Sequence, residues 1–119
     1  MVRLGAVGIA VILLSWSGPG VAGWEGTGAE LQTLCAAPES TFDSGACAGY
    51  VLSIADILKD APKGVGFHGK EACFPAAIRV GQLVDAVLKF LREHKEARGY
   101  NAWSLTTNAF AEAFPCPRK

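Results

Sequence analysis

The chain has two histidines, one methionine and no Cys-x-x-Cys pair. Without that pair, a thioredoxin-like centre, a zinc knuckle or a haem c attachment has no basis. With so little histidine, any acid-dependent switch would have to come mainly from the 11 carboxylates. No charge of one sign is in excess: 11 basic residues face 11 acidic ones, and no basic stripe is visible. Nucleic acid and anionic membrane are therefore poor partners. Strand-length alternation is missing throughout, and so is any internal repeat. The longest apolar run, Leu4–Trp16, is short of the ~20 residues needed to cross a bilayer.

That run reads instead as the centre of a Sec-type signal peptide over residues 1–23. Arg3 gives the positive start, Gly18-Pro19-Gly20 breaks the run, and Val21-Ala22-Gly23 offers small residues for cleavage. A lipoprotein would need its cysteine directly after the run, and the first is Cys35. The expected mature chain, 24–119, is one domain in the periplasm with no membrane contact after cleavage. It carries 10 basic and 11 acidic residues once Arg3 is lost. A domain of this size buries only about 60–65% of the surface its unfolded chain exposes, so covalent staples would help it.

The pattern of apolar residues predicts four helices. Ala29–Ala36 carries Leu31 and Leu34, and Pro38 ends it. The densest stretch is Cys47–Asp60, where Tyr50, Val51, Ile54, Ile57 and Leu58 share one side. Asp43 or Ser44 is expected to cap it, and Pro62 and Gly64 to stop it. Residues 60–72, with Pro62, Gly64, Gly66 and Gly69, read as a loop. Val80, Leu83, Val84, Val87, Leu88 and Leu91 mark a third helix that could continue to Gly99. Asn101 is placed to cap the last, Ala102–Phe114, with Leu105, Ala109, Phe110, Ala113 and Phe114 inward.

Four cysteines allow three pairings. Cys35 closes the first helix and Cys47 opens the second, so a hairpin brings them together. Cys73 precedes the third helix and Cys116 follows the fourth, so antiparallel packing joins their outer ends. The expectation is Cys35–Cys47 and Cys73–Cys116 in an all-α, disulfide-stapled four-helix domain of two antiparallel hairpins. No serine, cysteine or metal constellation has supporting residues at usable spacing, so no catalytic residue, metal or cofactor is assigned.

Taken together, the cysteine frame and its neighbours form a pattern: Leu31-x-x-Leu34-Cys35, Cys47-Ala-Gly49-Tyr50-Val51 and Cys73-Phe-Pro75 in turn. Gln82-Leu83-Val84, Phe90-Leu91-x-x-His94, Ala102-x-Ser104-Leu105 and Phe114-Pro115-Cys116 complete it. This resembles the Rap1a/Tai family of type VI secretion immunity proteins over nearly the whole of 24–119. The resemblance implies a non-enzymatic, homodimeric periplasmic protein that binds a peptidoglycan amidase effector and blocks its cleft. Two positions depart from the family: Arg79 stands where a threonine is usual, and Lys95 where a proline often follows the histidine. The first requires another cap for the third helix; the second would let that helix run further.

Blocking a cleft requires a loop or helix end with an apolar anchor. The toxin-binding candidates are Phe67 and His68 at the tip of Lys63–Glu71, and Tyr100 and Trp103 in Lys95–Trp103. Phe67, between glycines, is an anchor if exposed and ordinary packing if tucked in. Trp103 also suits a core edge or dimer surface, and His94 suits a helix-dipole partner. Asp56 is expected to cap or hydrogen-bond locally. The alternative function is a periplasmic helical chaperone or ligand-binding module using apolar surface between helices.

Overall fold

The computed structural model describes residues 23–118 and, apart from them, Gly5. The expected signal peptide falls almost wholly outside the described residues. Within them lie α1 (Gly28–Cys35), α2 (Phe42–Asp60), α3 (Val80–Glu93), a 3₁₀ turn (Lys95–Ala97) and α4 (Ala102–Ala113). The described residues contain no strand, only the isolated bridges Thr27–Asn101 and Phe67–Lys70. Each helix touches the other three. Both expected disulfides are present, Cys35–Cys47 tying α1 to α2 and Cys73–Cys116 tying the lead into α3 to the end of α4.

Each helix begins where a side chain can take up free backbone N–H groups. At α1, Thr27 Oγ1 accepts from Glu30 N at 3.2 Å. The Glu30 carboxylate in turn accepts from Glu25, Gly26 and Thr27 N–H, at 3.1, 2.8 and 3.2 Å. This is a capping box, and Thr27-x-x-Glu30 is its signature in the sequence. For α2 the cap is Thr41, not Asp43 or Ser44; Thr41 Oγ1 accepts from Ser44 N at 3.2 Å. Asp43 instead sits in the first turn, where its charge suits the helix dipole. Arg79 offers no cap to α3, and Gln82 Oε1 accepts from Arg79 N–H at 2.8 Å in compensation. Asn101 Oδ1 caps α4 by accepting from Ser104 N at 2.9 Å.

The ends are as local as the starts. Ala61 is extended, with ψ 145, because Pro62 follows it. Contrary to the longer third helix expected from Lys95, α3 stops at Glu93. His94 leaves helical geometry, its Nδ1–H donates to Phe90 O at 2.8 Å, and its ring stacks on Phe90 at 4.0 Å. Arg98 Nε then donates to Leu91 O at 2.9 Å, so two basic side chains take up carbonyls at the end of α3.

Leu31, Val51, Val87, Leu91, Ala102 and Phe110 are fully buried and form the centre of the core. The expected faces hold with local exceptions. Ile57 on α2 is 42% exposed, and Ala55 takes an inward place instead. On α4, Ala113 is exposed and Phe114 half-buried, while Thr106 and Thr107 are inside. Their hydroxyls donate to Ala102 O at 2.7 Å and Trp103 O at 2.8 Å, so their burial leaves no unmet polar atom. Gly28 lets the head of α1 sit close against α4: a Cβ there would push the Leu105 side chain aside. Gly28 N donates to Tyr100 O, and Ala29 N to Arg98 O, both at 2.9 Å, which seals α1 against the α3–α4 connection.

Candidate functional site

The loop after α2 is built by glycine and proline. Pro62 O accepts from Val65 N and Gly66 N, at 3.1 and 2.9 Å. Gly66 has φ 70, and any side chain there would meet the Lys70 carbonyl. The chain then reverses over four residues. Phe67 N donates to Lys70 O at 2.9 Å, and Lys70 N to Phe67 O at 3.0 Å. His68 and Gly69 between them have φ 49 and 74, the pattern of the tight hairpin turn with both central residues left-handed. For a histidine that conformation costs of order 1 kcal/mol or more.

This turn carries Phe67 and His68 to the start of α4. The His68 and Trp103 rings lie 4.9 Å apart, Phe67 meets Trp103 edge-on at 5.8 Å, and Phe67 meets His68 at 4.5 Å. Three of the four candidate residues, two from a loop and one from the first turn of α4, thus form one aromatic cluster. Phe67 is half-buried against the core, His68 is exposed and Trp103 is 37% exposed. Phe67 is therefore packing on one side and a prop for Trp103 on the other. Tyr100, 66% exposed, lies one turn before Trp103 and makes no ring contact with the cluster among the described residues.

A second surface was not legible as a site in the sequence. A half-open cleft of about 930 Å³ lies between α2, the 61–78 segment, the start of α3 and the tail Cys116–Arg118. Leu52, Leu58, Phe74, Ile78, Val80 and Leu83 supply most of its apolar lining. Asp56, expected to bond locally, is exposed and lines this cleft. Its origin is unequal helix length: α1 has 8 residues and α2 has 19, so α2 outreaches its hairpin partner. Among the described residues no group of three or more histidine, cysteine, aspartate or glutamate side chains is placed to hold a metal ion. No described helix is long and apolar enough to cross a membrane.

Fold and surface together define a small disulfide-linked helical domain with a preformed aromatic knob and an apolar cleft. The model of the family of Rap1a immunity proteins matches residues 27–116, and the chain belongs to that family. Comparison with curated proteins and with solved structures gave no match.

Proposed function

We propose that the protein is a periplasmic immunity protein that binds a type VI secretion effector of the peptidoglycan amidase class and blocks its substrate groove. Membership of the Rap1a immunity family over residues 27–116 is the observation that carries this reading. Export through the leader at 1–23 brings the chain to the compartment where the disulfides form and the effector acts. A homodimer is the expected working form.

Inhibition of this kind asks for shape, not chemistry. The Phe67–His68–Trp103 knob suits it because aromatic anchors dominate binding energy at interfaces. The turn is held in its left-handed conformation before any partner arrives, which lowers the entropy lost on binding. Tyr100 would extend the contact from the same end of α4.

The test is co-expression with an amidase encoded beside this gene. The two proteins should co-purify, and the immunity protein should suppress lysis. Trp103→Ala should weaken the complex by about 2 kcal/mol or more, with the fold intact by circular dichroism. An amidase that neither co-purifies nor is neutralised would remove this effector class.

A further inference from the structure

We propose that the cleft between α2 and α3 binds a long-chain fatty acid, with the alkyl chain in the groove and the carboxylate at a basic rim. This does not depend on the immunity reading, since the aromatic residues of the knob do not line the cleft.

The cleft is a consequence of helix lengths. At 1.5 Å per residue α1 is about 12 Å long and α2 about 28 Å. The Cys35–Cys47 bridge sets the C-terminal end of α1 beside Cys47, so the antiparallel α1 runs out near residue 54 and residues 55–60 of α2 project beyond it. Ala55 and Leu58 on this overhang, with Leu52 at its base, line the opening together with Phe74, Ile78, Val80 and Leu83. Two walls, the segment around Cys73 and the tail at Cys116, are locked together by their disulfide. The groove is therefore preformed. Its volume of about 930 Å³ lies at the upper end of the ~300–1,000 Å³ usual for small-molecule sites.

The side chains around it select the ligand class. Not one lining residue is a serine, threonine, asparagine, glutamine, histidine or tyrosine. The polar side chains are all charged and the rest of the lining is apolar, so a ligand that is polar along its whole length would set most of its hydroxyls or ring edges against apolar side chains. Flat aromatic ligands have one ring to stack on, Phe74, and it is already held by Phe110 and Phe114 at 5.4 and 5.2 Å. What remains is an aliphatic ligand with a charged end. Lys59, Lys63 and Arg118 outnumber Asp56 and Glu71 among the lining residues. Lys59 and Lys63 flank the Pro62 turn at the end of α2, and both are exposed. The charged end is therefore anionic.

The experiment is titration of the purified protein with a dansyl-labelled fatty acid, followed by displacement below micelle-forming concentrations. Palmitate should displace the probe from one saturable site, and the chain-matched alkylammonium should be weaker by about tenfold or more. Leu52→Glu, at the partly exposed edge of the groove, should weaken palmitate by at least about tenfold. Lys59→Gln with Lys63→Gln should abolish the preference for carboxylate over ammonium. The double variant should stay folded, with only the small fall in thermal midpoint expected from removing a cation at the end of α2. These two surface changes keep the test decisive if Leu52→Glu proves unstable. The proposal fails if binding does not saturate, if the alkylammonium displaces the probe as well as palmitate, or if an apolar peptide displaces it where palmitate does not.

Discussion

Gly66 shows how much of the knob depends on one missing methyl group. Its φ of 70 is left-handed, and the Lys70 carbonyl occupies the space a Cβ would need. Gly69, with φ 74, has open space around it. Gly66→Ala should therefore destabilise by about 1–3 kcal/mol, and Gly69→Ala by visibly less, in urea denaturation. Equal effects would mean the clash is relieved by loop movement. A second residue-level prediction concerns Tyr50, whose phenol is pushed above its ordinary pKa by burial. The folded state then holds that proton more tightly than the unfolded chain does. Its contribution is complete below about pH 10 and is lost as pH rises through the folded value. Tyr50→Phe should remove this part of the alkaline fall in stability. Denaturation curves across that range, wild type against Tyr50→Phe, should diverge above about pH 10; parallel curves would mean the phenol is solvated in the native state.

At the scale of the helix, the caps give the sharpest contrast. Thr41→Ala should cost roughly 1 kcal/mol because it removes the acceptor for Ser44 N–H. Asp43→Ala loses only a dipole interaction of about 0.3–1 kcal/mol, and less in high salt. Thermal midpoints at low and high salt separate the two, since only the Asp43 effect should fade. The misplacement of this cap has a simple origin. Any of Thr41, Asp43 and Ser44 can cap a helix, and the choice depends on which residue is the last to keep extended geometry, here Thr41 with ψ 159. Elsewhere the apolar spacing was enough: Leu83, Val87 and Leu91 had to face inward, and Asn101 before Ala102 fixed the start of α4. The end of α3 was harder to read. His94 breaks the helix through its bond to Phe90 O and its stacking on the Phe90 ring, contacts that periodicity does not encode. The same holds for the candidate site. Phe67, His68 and Trp103 could be singled out one by one, but their meeting depends on two left-handed residues and a loop path. The cleft arises from a difference between helix lengths, which becomes a cavity only once the hairpins pack.

For the whole molecule, the two disulfides supply a large share of the domain's stability. In the chain-entropy model, bridges with separations of 12 and 43 residues are worth about 3 and about 4 kcal/mol. A domain of this size has about 5–10 kcal/mol in total, so loss of both leaves a margin near zero. The bridges differ in access: Cys35 and Cys47 are 8% and 1% exposed, whereas Cys73 is open to solvent. Graded reductant should therefore cleave Cys73–Cys116 first. That intermediate should keep most of its helix signal, because Leu31, Val51, Leu91 and Phe110 still pack and Cys35–Cys47 still ties α1 to α2. Cleavage of the second bridge should then unfold the domain cooperatively at 37 °C. Alkylation with mass spectrometry orders the two events, and far-UV circular dichroism follows the helix signal in the same samples. A fully reduced chain that stays helical and cooperative would show the apolar core to be sufficient alone, and the fold would then need no oxidising compartment.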